Sequence, residues 1–149
     1  WTSTATLAPI RIVPLDDVND DGVPDLAAVG LLDDDVFVID GADGTNIWVR
    51  RGPASDSIWA VDRLEDINDD GVNDVIAGSF DSWVIAFDGK TGDAIWSYDT
   101  GEAKVMTVRG VPDVTGDGLP DVVAGTQCLS TTTPGSGTVF LLNGDPDAI

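Results

Sequence analysis

Histidine is absent from the 149-residue chain, and cysteine occurs once, at position 128. Without histidine there is no Ser-His-Asp triad, no His-ligated zinc site and no imidazole to serve as general base near neutrality. One cysteine closes no intrachain disulfide, so Cys128 is a free thiol or pairs with something outside the chain. Positive charge is almost as scarce, with 7 Lys plus Arg against 27 Asp plus Glu and a net charge of -20. A surface this acidic repels phosphate backbones and anionic membrane surfaces, which excludes charge-driven binding to nucleic acid or lipid. No apolar run approaches the ~18 residues of a membrane helix, so no direct membrane insertion is expected. No basic-then-apolar leader opens the chain, although a cleaved signal would leave no trace. No segment sustains a 3.6-residue apolar stripe either, which predicts almost no helix.

What is present argues for a folded chain. Hydrophobic residues make up 42% and mean hydropathy is +0.07, which is incompatible with the low hydrophobicity of charge-driven disorder. The length suits one core, so residues 1–149 are expected to form a single unit or a piece of one. The surplus carboxylates then need partners, and cations are the obvious ones.

An internal repeat organises the chain. DVNDDGVPD at 17–25, DINDDGVND at 66–74 and DVTGDGLPD at 113–121 start 49 and 47 residues apart. Trp1, Trp48 and Trp96 precede these loops by 16, 18 and 17 residues, giving a second marker at the same period. After each loop come two apolar, strand-like stretches, such as DVIAGS and VIAFD, and then a Gly-rich turn. The second unit reads as four strands, at 58–63, 74–79, 83–87 and 94–98, rich in β-branched and aromatic residues. The expected fold is all-β: three four-stranded antiparallel repeats of about 48 residues, at approximately 1–47, 48–95 and 96–149. Four-stranded units at that period are the mark of β-propeller blades, and three are too few to close a ring.

The pattern DxNxDGxxD places side-chain oxygens at positions 1, 3, 5 and 9, with Gly where the chain must turn sharply. Such hard oxygen ligands on a tight loop suit Ca²⁺, which takes six to eight oxygens at ~2.3–2.6 Å, better than Mg²⁺, which keeps its own waters. The first candidate site is Asp17, Asn19, Asp21, the Val23 carbonyl and Asp25. The second is Asp66, Asn68, Asp70, the Val72 carbonyl and Asp74; the third is Asp113, Thr115, Asp117, the Leu119 carbonyl and Asp121. About three Ca²⁺ ions are expected. Position 12, acidic in helical calcium hands, is Ala28, Ala77 and Ala124, so each loop must close at position 9 and leave as a strand. The alternative for any one loop is an Asx-rich turn that binds nothing, but three loops in register argue against it. Thr115 makes the third loop the weakest, because it offers a hydroxyl in place of an amide carbonyl.

The segments DVNDDGVPDLAAVG and DINDDGVNDVIAG resemble the FG-GAP repeats of integrin-α-like propellers, and VIAFDGKTGDAIW resembles blades of quinoprotein-type (PQQ-like) propellers. The resemblance covers essentially the whole chain. It implies a secreted, cell-surface or periplasmic propeller in which calcium staples the blades and other loops bind a ligand. Such rings have six to eight blades, so the three repeats imply a fragment or a ring completed by another chain. Asp147 to Ile149 repeat the DAI that precedes Trp96, as though another Trp were to follow.

A non-catalytic adhesion or ligand-binding segment, with a protein or glycan as ligand, is therefore the expected function. The alternatives are a piece of a quinoprotein dehydrogenase or polysaccharide-acting enzyme, and a purely structural assembly repeat. No acid pair outside the loops suggests catalysis. In a four-strand meander, the acidic loops and the Gly turns share one rim. The opposite rim receives an insertion at 126–137, TQCLSTTTPGSG, of a kind that serves recognition or has no role. Trp1, Trp48 and Trp96 are expected to pack between blades. Trp59 and Trp83, which have no counterparts in the other repeats, are open to core packing or ligand stacking, and Arg50 and Arg51 are expected to offset nearby Asp.

Overall fold

A computed structural model describes residues 8–30, 34–52, 57–101, 104–127 and 136–145. Trp1, Cys128, most of the 126–137 insertion and Asp147 to Ile149 lie outside the described residues. The described chain is all-β, with eleven strands in three antiparallel meanders. The first sheet runs β1 (Pro9–Pro14), β2 (Leu26–Gly30), β3 (Asp35–Ile39) and β4 (Asn46–Arg51). The second runs β5 (Ile58–Leu64), β6 (Asp74–Ser79), β7 (Trp83–Phe87) and β8 (Ala94–Asp99). The third has three strands among the described residues: β9 (Val105–Val111), β10 (Asp121–Thr126) and β11 (Val139–Leu142). Of the Trp residues at the repeat period, the two among the described residues lie in the last strand of a sheet, Trp48 in the first and Trp96 in the second.

The sheets stack face to face. Residues one apart in a strand point to opposite faces, and the central sheet uses both. Val75, Ala77 and Ile85 pack with Val29, Val36 and Val38 of the first sheet. Their neighbours Ile76, Val84 and Ala86 pack with Val105, Val122 and Ala124 of the third. Two buried faces explain why β6 and β7 read as unbroken apolar runs rather than as the alternation of a half-exposed strand. On the outer face of the third sheet, Val139 and Leu141 stay exposed.

Directional polar contacts fix how one sheet meets the next. The buried Trp48 indole donates to the Gly89 carbonyl of the second sheet at 2.8 Å, and Trp96 repeats this on Gly144 of the third at 3.1 Å. The Trp48 ring also packs closely against Gly92, where an added Cβ would meet it at 2.7 Å. At the other edge of the stack, β1 runs beside β5 and β5 beside β9, so the first strand of each sheet is the innermost. There Asp62 accepts from Gly110 N–H and from Arg109, at 3.2 Å each. Nearer the acidic loops, Arg63 reaches Asp16 at 3.4 Å, and the Asn73 amide also donates to Asp16.

Trp48→Phe keeps most of the ring contact but leaves the buried Gly89 carbonyl without its donor. Loss of about 1–3 kcal/mol of unfolding free energy is expected in a denaturant titration; an unchanged midpoint would show that the indole N–H contributes nothing to the blade junction.

Candidate functional site

The three acidic loops adopt one backbone. Positions 4 and 6 are left-handed in each: Asp20 (φ 64°) and Gly22 (φ 90°), Asp69 (61°) and Gly71 (86°), Gly116 (88°) and Gly118 (97°). Gly at position 6 follows from that conformation, which costs a side chain ~1–2 kcal/mol, while short polar Asp tolerates position 4. The carboxylate at position 1 gathers the turn. Asp17 accepts from the N–H groups of Asp21 (3.0 Å) and Gly22 (2.6 Å), Asp66 from Asp70 (3.3 Å) and Gly71 (2.8 Å), and Asp113 from Gly116 (2.6 Å) and Gly118 (2.8 Å). Position 5 then draws in position 7: Asp21, Asp70 and Asp117 accept from Val23, Val72 and Leu119 at 2.8, 2.8 and 2.9 Å.

The position-9 carboxylates do something their spacing alone does not disclose. Asp25, Asp74 and Asp121 are fully buried, and each ties the start of its loop to the glycine turn after the third strand. Asp25 accepts from Val18 (2.8 Å) and Gly41 (2.9 Å), and Asp74 from Ile67 (2.9 Å) and Gly89 (3.0 Å). Asp121 accepts from Val114 (2.6 Å), Thr115 (2.8 Å) and, more weakly, Gly144 (3.4 Å). The turn sits so close that a Cβ on Gly41, Gly89 or Gly144 would lie 1.9 Å from the carbonyl oxygen of Pro24, Asn73 or Pro120. Acidic loop and glycine turn therefore share one rim.

That closeness brings Asp40 and Asp88 to the loops. The Asn19 amide donates to Asp40 (3.1 Å) and Asn68 to Asp88 (3.2 Å), while their carbonyl oxygens accept the position-5 N–H at 3.1 Å. In the third loop, Thr115 turns its hydroxyl onto Asp121 at 3.2 Å. Asp40, Asp88 and Asn143 directly follow the third strand of each sheet, so their period was visible in the sequence, but their partners were not.

Each loop thus presents only oxygen donors, and a carboxylate oxygen bonded to one N–H keeps further acceptor capacity. This donor set fits a hard cation. Among the described residues, no three His, Cys, Asp or Glu side chains close on a common point, so amide and backbone carbonyls or water would complete a coordination shell. Burial pushes the Asp74 carboxyl up to about 7, against the Ile67 and Gly89 N–H groups, which lower it, and with help from the charges of Asp66 and Asp88.

On the opposite rim, Trp59 stacks on Phe80 at 4.6 Å, and the Lys104 ammonium lies 4.1 Å from the Phe80 ring. Trp83 is half-buried against the first core. Arg51 pairs with Asp35 at 3.1 Å, and Arg50 bonds the Thr91 carbonyl at 2.8 Å.

In buffer stripped of divalent cations, folded Asp74 is neutral at pH 5–6, where an unfolded Asp is ionised. Folding therefore takes up a proton in that range, so this group's contribution is full below about pH 4 and is lost as pH rises through about 7. Unfolding free energy from urea titrations is expected to fall with pH across that window, and less steeply in Asp74→Asn. Parallel slopes for the two proteins would contradict the assignment.

No family model and no curated protein sequence matches the chain. Solved structures do. The crystal structure of BBS1N in complex with ARL6DN, soaked with lead, aligns with a TM-score of 0.61 at 10% identity over 90% of this chain and 43% of that one. The same complex soaked with mercury gives 0.58 at 10% identity, over 81% and 34%. The chain thus spans less than half the length of these structures, and at such identity the likeness concerns fold. The three stacked meanders are blades of a larger β-propeller.

Proposed function

We propose that the chain is a non-catalytic, calcium-stapled propeller segment of an extracytoplasmic protein that binds a protein partner, in adhesion or ligand recognition. The observation that carries the calcium reading is the repetition of one loop geometry three times, with positions 4 and 6 left-handed, the position-1 carboxylate on the position-6 N–H and the position-5 carboxylate on the position-7 N–H, joined in the first two loops by the position-3 amide oxygen on the position-5 N–H. In the first two loops that set is Asp17, Asn19 and Asp21, and Asp66, Asn68 and Asp70; in the third, Asp113 and Asp117 act without Thr115. Position 9 joins loop to turn, and a cation beside it would offset the cost of burying its charge. Stapling follows because the turns held by Asp74 and Asp121 carry the Gly89 and Gly144 carbonyls that receive Trp48 and Trp96. The extracytoplasmic reading rests on millimolar calcium, which weak sites of this kind need. Partner binding is supported by the fold likeness to BBS1N, which was crystallised with ARL6DN.

With dissociation constants of ~10⁻⁴–10⁻³ M and millimolar Ca²⁺, each site adds roughly 0.4–1.4 kcal/mol. Calcium is expected to raise the melting temperature by several degrees over chelator, at about 2–4 °C per kcal/mol for a chain of this size. A melting temperature indifferent to chelator, with Mg²⁺ and Na⁺ also without effect, would end the calcium reading.

The loops are also expected to rank. Thr115→Asn supplies the amide oxygen that the first two loops already have, so it should tighten the third site, while Asn68→Thr should weaken the second. Calorimetric titration in which the wild-type third site is the tightest would reverse this order.

A further inference from the structure

The innermost strands invert the charge balance of the chain. β1, β5 and β9 carry Arg11, Arg63 and Arg109, three of the five arginines, and only one of the 27 acidic residues, Asp62. Arg63 turns toward Asp16 at the acidic rim. Arg11 and Arg109 instead line a cleft of about 340 Å³ between the three strands, together with Ile12, Val61, Asp62 and Thr107. Asp62 is largely buried and already holds one guanidinium nitrogen of Arg109, whose side chain stays 72% exposed. Arg11 is exposed and makes no ion pair or hydrogen bond with any described residue.

From this placement we infer that the axial cleft binds a small organic carboxylate, held by the Arg11 and Arg109 guanidinium groups with its carbon body against Ile12 and Val61. Two features select this class. A guanidinium presents a planar fork of donors that matches a carboxylate, and Asp62 already shows Arg109 taking one. The cleft is mainly polar, but the exposed Ile12 side chain on its wall offers apolar contact to an organic body that inorganic phosphate lacks, and the volume sits at the small end of ligand pockets, ~300–1,000 Å³. Elsewhere the acidic surface repels anions, so the cleft, where two arginines outnumber the one carboxylate of Asp62, is a local positive site that draws them to the inner strands. This inference is independent of the calcium reading, and its test is run at saturating Ca²⁺ in every arm.

Isothermal titration at fixed ionic strength uses glutarate, its neutral diamide glutaramide, and inorganic phosphate as probes. Glutarate is expected to bind saturably, glutaramide not at all, and phosphate at least tenfold more weakly. Arg11→Gln should raise the glutarate dissociation constant at least tenfold and Arg11→Lys by less, because Lys keeps the charge without the fork. Lys90→Gln removes the same charge from the opposite, acidic-loop rim and should leave binding unchanged. Arg11 is exposed, so its variants should keep the wild-type melting temperature, which circular dichroism verifies. Absence of glutarate binding, equal loss in Lys90→Gln, or phosphate binding as tightly as glutarate would each overturn the proposal.

Discussion

A carboxylate taken out of water must have its oxygens satisfied, and this fold is arranged around three that are. Asp25, Asp74 and Asp121 lose all exposure and recover hydrogen bonds from backbone groups on two separate segments, with the Thr115 hydroxyl added at Asp121. One segment is the start of the acidic loop and the other is the glycine turn after the third strand. Neither is held in place by apolar packing alone, because both lie at the rim. The buried carboxyl group therefore converts two solvent-facing turns into one rigid corner. Leaving either set of donors out would strand a buried polar group at a cost of about 1–3 kcal/mol or more.

Everything between sheets builds on that corner. The glycine turn it positions offers the carbonyl that receives the tryptophan of the preceding sheet, and its lack of a Cβ lets the turn lie against the loop carbonyl. Apolar contact between sheets is extensive but non-directional, and it tolerates sliding. The indole bond does not, so the register of one blade on the next is fixed at the rim while most of the burial energy comes from the faces.

Much of this was legible in the sequence, for physical reasons that can be named. The period survives because every blade solves the same packing problem, and β6 and β7 read as continuous apolar runs because both their faces are covered. Gly22, Gly71 and Gly118 were readable as turn glycines because a left-handed residue leaves a compositional mark. Pairing across the chain was not readable. Nothing in DVNDDGVPD says that Asn19 meets Asp40, or that Asp25 bonds Gly41, since both partners lie in another turn. The reversed role of Thr115 was half visible: its chemistry marked the third loop as different, but the turn of its hydroxyl onto Asp121 depends on backbone position. The arginines of the inner strands escaped notice because in a linear reading they are isolated residues, brought together only by the stacking of three first strands.

The tryptophan bond has a sense of direction. At both junctions among the described residues a last strand gives and a glycine turn in the following sheet receives, so the contact is heterologous: the two surfaces that meet are different surfaces. No two-fold axis can run through such a junction, and a pair of identical blades cannot satisfy each other through it. Repetition leads only to a closed circle or to an open screw, and the rotation per blade, not the chemistry of the contact, decides which. Gene duplication can thus lengthen the array in whole blades without inventing a new interface, and the number of blades becomes a question of geometry.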